Sequence, residues 1–449
     1  MGRLFGTSGV RGLVGERITP ELVMGLGQAL ASFLGNSGTV VVGKDTRTSS
    51  DVLESCLISG LLSGGCDVKR LGVVPTPAVS FAVRNLRAKA GAMITASHNP
   101  PEYNGVKLFD GSGMAYTSLL EDRVERIYFG KKWHQVSWDE IGGVEDLDII
   151  PDYIGALAGM VEISKEYKVV VDCGNGAASV VAPRLLRELG CKVVSLNSQP
   201  DGLFPGRPLE PSPENLVELC RVVRSTESDL GIAHDGDADR VVIVSEKGSV
   251  ASGDEVLAIM ASNQVAKKGD VIVTTVDASN VVDEVVADVG GKVVRTKVGD
   301  VSVAAEINRR GAVFGGEPCG AWIFPSFSMA PEGLLGALKV LELLDASGTK
   351  ISQQLEPLPD YFMLREKIAC PEDRKSKIMA QVSKRLVKEF SEAIGVIKVD
   401  GVRVNFLDGW VLVRASGTEP YIRVTAEART PGRAEEILKA TIGALKKMR

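Results

Sequence analysis

The sequence predicts an α/β protein with three tandem, related α/β domains that have mixed sheets, followed by a C-terminal α+β domain. Three observations support this fold class. The chain has 449 residues, which is enough for about three domains or four small ones. A strand–helix–strand pattern occurs three times, and the region after the third copy changes character. The composition, 44% hydrophobic and 24% charged, is typical of a globular protein.

The repeated unit has a β-branched apolar strand, a helix, and a Gly-x-x-Val sequence that opens a second strand. Strand, helix and strand in this order form a βαβ unit, which implies parallel pairing and a right-handed crossover. The three copies occupy 39–43, 50–62 and 64–68; then 167–171, 177–189 and 190–194; then 270–273, 280–289 and 290–294.

Each copy continues through another helix into a short apolar strand that ends in a polar loop. Ligands of open α/β sheets bind beyond the carboxyl ends of the strands, so all three loops stand where a site would be built. The simpler alternative is that three related domains merely share their turn chemistry. The polar loops cover residues 96–100, 234–240 and 315–320.

The chain from about residue 361 predicts a small α+β domain with an antiparallel sheet. Its pattern is a helix at 375–394, strands at 396–406 and 410–414, a polar loop, a strand at 421–428 and a helix at 433–447. We therefore predict domains at 1–150, 151–248, 249–360 and 361–449.

Composition and charge argue against several classes of partner. The formal net charge is −5 and no basic block occurs, which disfavours a nucleic-acid partner. No apolar run reaches the roughly 18–20 residues of a membrane span, and the first residues lack the apolar region of a secretory signal. The seven cysteines include no CxxC, so we expect reduced thiols and a cytoplasmic protein.

Three aspartates, Asp235, Asp237 and Asp239, stand at i, i+2 and i+4 in the second polar loop. Small residues between them let the backbone turn tightly enough to bring the three carboxylates to one hard cation such as Mg²⁺. The adjacent Arg240 could bridge to a bound phosphate. An EF-hand would need glycine where Arg240 stands, and 241–244 reads as a buried strand, which disfavours that alternative. A solvated acidic turn is the simpler alternative.

The first polar loop presents Ser97 at a strand end, before a rigid Pro-Pro turn. Taken alone, Ser97 is more simply structural. Beside a metal loop and a phosphate loop it becomes the best candidate for a nucleophile. Lys107 and Arg11 are candidates to neutralise phosphoryl oxygens, and His98 either acts in catalysis or bonds to backbone.

Two further loops carry candidate substrate-binding residues. The loop between the last two strands combines arginines, hydroxyls and a glycine, which suits a phosphate cradle, although a Ser-Gly hairpin would look similar. The third polar loop offers a carboxylate for sugar hydroxyls, and a lysine upstream suits a charged group. The candidates are Arg414, Ser416, Gly417, Thr418 and Arg423 for the phosphate, and Glu317, Cys319 and Lys297 for the sugar.

Four ordered loops, TASHNP, DGDADR, GEPCG and RASGTEP, resemble those of the α-D-phosphohexomutase family, and the resemblance covers the whole chain. It implies four domains around one cleft, the last similar to the TATA-binding protein. It also implies that Ser97 carries a phosphoryl group. One Mg²⁺ per chain would be held by Ser97 and the three aspartates, Asp235, Asp237 and Asp239.

The reaction implied by the resemblance interconverts a hexose 1-phosphate and 6-phosphate through a phosphoserine enzyme and a sugar 1,6-bisphosphate, which also serves as activator. Arg11, Lys107 and Arg240 would offset the charge that develops on the transferred group. Because only one distal phosphate cradle is predicted, the bisphosphate must turn over between the two transfers. The implied partner is a small phosphosugar, and the chain is expected to be a monomer or a homodimer.

Departures from the family pattern bear on the sugar. Cys319 stands where many relatives have serine, Ala321 where histidine is frequent, and Asp300 where the phosphomannomutase/phosphoglucomutase branch tends to have histidine. These departures favour the phosphoglucosamine mutase branch, with the other branch as the alternative. A phosphatase or kinase that uses the acidic loop is disfavoured because Asp239 breaks the DxDx[TV] pattern and because the sequence has no nucleotide-binding loop. An inert phosphosugar sensor is disfavoured by the intact Ser97 and aspartates.

Overall fold

The computed structural model describes residues 3–6, 9–415 and 420–447. Within them, three successive α/β units with mixed sheets are followed by a unit built on an antiparallel sheet. This arrangement confirms the predicted fold class. None of the helices in the described ranges is long and apolar enough to cross a membrane.

In the first unit, the described residues form a sheet of strand order β1-β5-β4-β2-β3-β6. Strand β2 pairs in parallel with β3 and β4, whereas β5 pairs antiparallel with β4 and β1. The elements are β1 (Val10–Leu13), α1 (Pro20–Phe33), β2 (Thr39–Lys44), α2 (Ser50–Ser63), β3 (Asp67–Val73), α3 (Thr76–Asn85), β4 (Ala90–Ile94), β5 (Tyr103–Asp110), α4 (Ser118–Gly130) and β6 (Val144–Asp146).

The second unit repeats the central part of this topology in the order β10-β9-β7-β8. Strand β7 lies parallel to β8 and β9, and β10 returns antiparallel to β9. The elements are α5 (Ile150–Ala158), β7 (Lys168–Asp172), α6 (Ala182–Glu188), β8 (Lys192–Leu196), α7 (Val217–Ser225), β9 (Leu230–Ala233) and β10 (Val242–Ser245).

The third unit has the same arrangement, β12-β11-β13-β14, with β11 parallel to both neighbours and β14 antiparallel to β13. The triple repeat seen in the sequence is therefore a triple repeat of sheet topology. The elements are α8 (Gly253–Asn263), β11 (Val271–Thr275), α9 (Val281–Asp288), β12 (Lys292–Thr296), α10 (Asp300–Arg310), β13 (Phe314–Gly316), β14 (Trp322–Ile323), α11 (Gly333–Ser347) and α12 (Ile351–Leu355).

The C-terminal unit is an antiparallel sheet in the order β15-β19-β18-β17-β16. Two helices accompany it and share its apolar core. The elements are β15 (Phe362–Ala369), α13 (Glu372–Arg385), β16 (Gly395–Ile397), β17 (Val402–Asn405), β18 (Gly409–Ala415), β19 (Tyr421–Ala428) and α14 (Pro431–Lys446).

Two sequence predictions in this unit were wrong in detail. The predicted strand at 396–406 is two strands joined by a turn at Asp400-Gly401, where Gly401 has φ +84°, a conformation that glycine adopts without strain. Strand β15 was not predicted. It lies at the sheet edge with most of its side chains exposed, so it lacks the alternation of apolar and polar residues that predicts a strand.

One continuous apolar core joins the first three units. Met93 of β4, Tyr153 of α5, Ile232 of β9 and Trp322 of β14 belong to the same buried cluster. Because this core fixes the three sheets relative to one another, the polar loops after β4, β9 and β13 are brought together.

Candidate active site

The serine loop, residues 95–103, follows β4 and places Ser97 in the buried centre of the site. Ser97 is only 2% exposed and has φ +51°, which residues other than glycine rarely adopt. Its hydroxyl donates to Asp235 Oδ2 at 2.7 Å and lies 3.2 Å from His98 Nδ1. The candidate nucleophile of the first unit thus directly contacts the first aspartate of the second.

The aspartate loop, residues 234–240, connects the antiparallel strands β9 and β10. Its three aspartates are buried, and one carboxylate oxygen of each lies within 4.8 Å of those of the other two. Ala238 has φ +58°, and this left-handed residue turns the backbone between the second and third carboxylates. A Cβ at Gly236 would lie 2.5 Å from Ser97 O, so the absence of a side chain there lets the two loops meet.

Lys107 of β5 places its ammonium group between two of the carboxylates. Its Nζ lies 2.8 Å from Asp237 Oδ2 and 2.7 Å from Asp239 Oδ2. Burial alone would lower the pKa of Lys107, but the two carboxylates outweigh burial and raise it. Burial together with the charges of Asp239 and Asp237 raises the pKa of Asp235, so this corner of the site carries more negative charge than Lys107 offsets.

The aspartate loop fits a divalent cation. Asp237 Oδ1 and Asp239 Oδ1 are buried, and neither has a hydrogen-bond partner among the residues that the structure describes. Buried polar atoms are normally paired, so orphaned carboxylate oxygens indicate a missing ligand. Oxygen donors without nitrogen or sulfur suit a hard cation such as Mg²⁺. The cluster of Asp235, Asp237 and Asp239 is consistent with a metal site.

The structure brings Arg11, Arg240 and His98 around the same serine. Arg11 donates to Asn99 Oδ1 at 3.1 Å, and Arg240 Nη1 lies 3.1 Å from Glu210 Oε2. Burial, with the charges of Arg240 and Arg11, lowers the pKa of His98 to about 3. His98 is therefore neutral at physiological pH, and its 3.6 Å approach to Glu210 is not an ion pair.

The sugar loop, residues 315–320, begins within β13, and Gly320 O accepts from Val241 N, the residue after the aspartate loop, at 3.1 Å. Glu317 Oε2 accepts from Gly299 N at 2.9 Å. Burial and the charge of the neighbouring Asp300 raise the pKa of Glu317 to about 7. Burial likewise raises the pKa of Cys319 to about 12, so this thiol stays neutral.

The predicted phosphate cradle is only partly described. Ser416, Gly417 and Thr418 lie outside the described residues. Arg414 and Arg423 are directly opposite each other on β18 and β19.

Asp400 connects the C-terminal unit to the third unit. Its Oδ2 lies 2.7 Å from Arg414 Nε and accepts from Val298 N at 3.3 Å. The exposed Lys297 precedes Val298, so this candidate adjoins the contact between the two units.

Sequence reasoning missed several polar residues that hold the two loops. Thr76 donates to Asp237 Oδ2 at 2.5 Å, and its N–H donates to Asp237 O at 2.9 Å. Arg47 and Arg207 bind loop carbonyls from buried positions. Thr76 and Arg47 each follow a strand within a few residues, so position at a carboxyl strand end was the signal available in the sequence.

Three mixed α/β units and an antiparallel C-terminal unit, with strand-end loops that meet at a buried serine and three carboxylates, define a phosphohexomutase, an isomerase. Four models of the phosphoglucomutase/phosphomannomutase family match the chain: α/β/α domain I over residues 2–135, domain II over 151–248, domain III over 252–362 and the C-terminal domain over 367–444. The chain belongs to this family, which confirms the resemblance found in the sequence.

Curated relatives and solved structures match over nearly the full length. A probable phosphoglucosamine mutase of Methanothermobacter thermautotrophicus is 52% identical, over 99% of this chain and 98% of that protein. One of Methanopyrus kandleri is 50% identical, over 97% and 96%. The crystal structure of a phosphoglucomutase/phosphomannomutase family protein from Burkholderia thailandensis superposes with a TM-score of 0.90 at 28% identity, over 99% of this chain and 97% of that one.

Proposed function

We propose that this protein is a phosphoglucosamine mutase, which interconverts glucosamine 1-phosphate and glucosamine 6-phosphate through a phosphoserine and a 1,6-bisphosphate. The observation that carries the proposal is the contact between the two loops. Ser97 Oγ lies 2.7 Å from Asp235 Oδ2, and Lys107 bridges the other two aspartates. A hydroxyl beside a carboxylate triad and a buried lysine suits phosphoryl transfer, which depends on positioning and charge stabilisation.

In the proposed reaction, Ser97 exchanges a phosphoryl group with a sugar hydroxyl. A new bond joins phosphorus to the sugar oxygen while the bond to Ser97 Oγ breaks, and Oγ regains the net proton that the sugar hydroxyl gives up. The reverse step phosphorylates Ser97 from the other end of the bisphosphate. Lys107 is buried and Arg11 is half-buried, and with Arg240 they would offset charge on the transferred group.

We propose Mg²⁺ as the cation, because the donor set consists of oxygens. The residues that would hold it are Asp235, Asp237 and Asp239, together with Ser97 or its phosphoryl group. When bound, the cation would offset negative charge on the phosphoryl oxygens. Lys107 contacts the Oδ2 atoms of Asp237 and Asp239, and their Oδ1 atoms have no hydrogen-bond partner among the described residues, so both carboxylates would be able to hold a cation.

The choice of glucosamine is supported by the names of the relatives and by two carboxylates of the third unit. Asp300 begins α10, and burial together with the charge of Asp300 raises the pKa of Glu317. A buried carboxyl group beside a second carboxylate suits a ligand that carries a positive group. The ammonium of glucosamine supplies one, whereas glucose and mannose carry only hydroxyls.

We also propose that the bisphosphate turns over between transfers, with its distal phosphate held by Arg414, Arg423 and the loop between them. The site of action we propose is the cytoplasm. In support, all seven cysteines are free thiols, as expected of a protein in a reducing compartment.

A substrate panel tests the proposed function. Purified protein is incubated with Mg²⁺, a trace of glucose 1,6-bisphosphate, and the 1-phosphate of glucosamine, mannose or glucose. We expect the highest kcat/KM with glucosamine 1-phosphate. Formation of no 6-phosphate from any sugar would exclude a mutase, and preference for mannose or glucose would move the enzyme to the other branch. Net release of inorganic phosphate at comparable rates would instead indicate a phosphatase.

A further inference from the structure

We propose that Arg47 is a positioning residue that fixes the backbone on both sides of Ser97, so that Ser97 Oγ stays opposite Asp235. This inference rests on the proposed function, in which Ser97 carries the phosphoryl group. Arg47 does not contact Ser97 Oγ. Its side chain is fully buried, three residues after the end of β2, and it acts on the serine loop through main-chain carbonyls.

Every N–H of the Arg47 guanidinium is used. Its Nη2 donates to Ser97 O at 2.8 Å and to Asn99 O at 2.6 Å. Its Nη1 donates to Pro100 O at 2.6 Å and to Tyr103 O at 2.9 Å. The remaining N–H, on Nε, donates to Asp45 Oδ2 at 3.0 Å. Since a guanidinium has five N–H donors in a rigid plane, this one group fixes four carbonyls within seven consecutive residues.

Asp45 extends this brace to the N–H side of Ser97. Its Oδ2 also accepts from Thr95 Oγ1 at 2.7 Å, and Thr95 Oγ1 accepts from Ser97 N at 2.9 Å. One buried ion pair thus holds Ser97 N through Thr95 and Ser97 O through Arg47. We call these residues, Asp45, Arg47 and Thr95, the serine brace.

Ser97 needs such a brace because its backbone is strained. A non-glycine residue at φ +51° persists only where its surroundings determine it strongly. If the brace loosens, the backbone can relax toward a right-handed or extended conformation, and Oγ moves away from Asp235. Misplacement of a reacting group by about 1 Å can slow catalysis about a hundredfold.

The residues around the brace also hold the second unit in place. Thr46 Oγ1 donates to Asn175 O at 2.9 Å, and the Arg47 guanidinium lies 5.2 Å from the ring centroid of Phe204. A structural role for Arg47 is therefore an alternative that the test must separate from positioning. A positioning role changes the rate of transfer in correctly folded molecules, whereas a purely structural role changes the fraction of molecules that are folded.

The test follows phosphorylation of Ser97 by glucose 1,6-bisphosphate in a single turnover, read by intact mass, in the full chain with Mg²⁺. Arg47→Lys keeps the charge but cannot reach four separated carbonyls with one ammonium group. We expect this variant to reach the wild-type stoichiometry of phosphoserine about a hundredfold more slowly. In steady state, kcat should fall while the KM for the sugar phosphate changes little, because the sugar loop and the phosphate cradle belong to other units.

Leu57→Ala is the stability control. Leu57 is fully buried in the core of the first unit and is not part of the serine brace, so its truncation destabilises the same unit and should leave the rate per folded molecule unchanged. Should Arg47→Lys not fold, Thr95→Val removes the other arm of the brace and should slow transfer about tenfold.

The outcomes separate the two proposals. If wild-type protein gains no phosphate, or if the Ser97→Ala variant gains as much phosphate as wild type, both the proposed function and the positioning role of Arg47 are overturned. If wild type is phosphorylated normally and Arg47→Lys is phosphorylated equally fast, only the positioning role of Arg47 is overturned. If Arg47→Lys reaches a lower final stoichiometry of phosphoserine at an unchanged rate, the positioning role is also overturned, since Arg47 would then serve folding.

Discussion

The serine loop of the first unit and the aspartate loop of the second follow equivalent strands of the repeat, β4 and β9, and each contains a strained residue. Ser97 has φ +51° and Ala238 has φ +58°. Each loop also has a carbonyl bound by a buried arginine that pairs with an aspartate. The pairs are Arg47 with Asp45, at 3.0 Å, and Arg207 with Asp172, at 2.9 Å.

The two arginine–aspartate pairs, which we call the arginine braces, differ in how many main-chain carbonyls of their loops they bind. Arg47 binds four carbonyls of the serine loop. Arg207 binds one carbonyl of the aspartate loop, His234 O at 2.6 Å, and spends other donors on its own segment, at Pro208 O and Leu209 O. The loop that presents the proposed nucleophile is thus fixed by its backbone. The loop that presents three carboxylates is fixed largely through its side chains, by Lys107 and Thr76.

Among the changes that distinguish the serine loop from the aspartate loop, Ser97→Ala should have the largest effect on mutase activity. This change removes the oxygen that is proposed to receive the phosphoryl group, so mutase activity should fall at least about a thousandfold. The thermal midpoint should change little, because one small hydroxyl is lost from a loop held by its backbone. Activity is measured by formation of 6-phosphate, and phosphorylation by intact mass. Retention of a tenth of the wild-type activity would mean that Ser97 is not the carrier.

Arg207→Lys should affect the aspartate loop, and it should weaken the binding of Mg²⁺ rather than slow the phosphorylation of Ser97. Loss of the bond to His234 O lets the start of the aspartate loop shift, and outer-sphere changes of this kind typically weaken metal binding about ten- to a hundredfold. Titration calorimetry with Mg²⁺ measures the affinity, and a chelator followed by Mg²⁺ should abolish and restore activity. At saturating Mg²⁺ the phosphorylation rate of Ser97 should approach that of wild type.

A matched control for Arg207→Lys is Arg184→Lys, since Arg184 lies on the exposed surface of the same unit, paired with Glu188. It should bind Mg²⁺ as wild type does. If Arg207→Lys binds Mg²⁺ with unchanged affinity but transfers the phosphoryl group slowly at every Mg²⁺ concentration, Arg207 serves the transfer step in the same way as Arg47.

The third unit extends the comparison, because its loop after β13 is proposed to select the sugar. Asp300→Asn removes a charge beside Glu317 while keeping the shape of the side chain. We expect kcat/KM for glucosamine 1-phosphate to fall about tenfold relative to glucose 1-phosphate, the loss expected for a hydrogen bond to a charged group. Equal losses for both sugars would assign Asp300 to the reaction in general and not to recognition of the amine.

Sequence patterns predicted the parts of this site that depend on local spacing. Apolar runs that end in polar loops located the strands, and the alternating carboxylates of Asp235, Asp237 and Asp239 predicted a metal loop. The contact of Ser97 with Asp235 was beyond these patterns, because it depends on how two units pack. The contacts of Arg47 and Arg207 were missed because they join residues far apart in the sequence of one unit: Arg207 reaches its partner Asp172 across 35 residues of chain, and no spacing rule covers that distance.

Local conformation was equally hidden from the sequence. A serine at φ +51° cannot be inferred from residue type, since only glycine, and less often asparagine or aspartate, signals a left-handed conformation. The Asp-Gly at 400–401 did carry a hairpin signal, so the turn between β16 and β17 was predictable. Strand β15 was not, because its register is set by pairing with β19 and not by burial of its own side chains.

A buried carboxylate that has no ion pair with an arginine in the described part of the chain tests what the arginine–aspartate pairs contribute. Glu332, before α11, is fully buried; its Oε1 accepts from Tyr153 Oη at 2.6 Å, and its Oε2 has no hydrogen-bond partner in the described part of the chain. Burial raises the pKa of Glu332 to about 8, although the Tyr153 hydroxyl, two backbone N–H groups and Arg84 oppose this shift.

The sign of the resulting pH effect follows from proton counting. The folded protein keeps the Glu332 proton up to about pH 8, whereas the unfolded chain releases it near the ordinary value of 4.5. Between these values the folded state binds more protons, so the free energy of unfolding falls as pH rises, by at most about 1.4 kcal/mol per pH unit from this group. The contribution is fully present below about pH 4.5 and lost above about pH 8.

Glu332→Gln should flatten this dependence, because an amide does not titrate and its oxygen can still accept from Tyr153. Urea unfolding between pH 5 and pH 8 measures the difference, with the exposed Glu356→Gln as control, whose curve should run parallel to wild type. Parallel curves for Glu332→Gln as well would mean that Glu332 is ionised in the folded protein. The Tyr153 hydroxyl, two backbone N–H groups and the charge of Arg84 would then keep a buried carboxylate ionised without an arginine ion pair. The arginines of the two loops would be needed for loop geometry and not for charge.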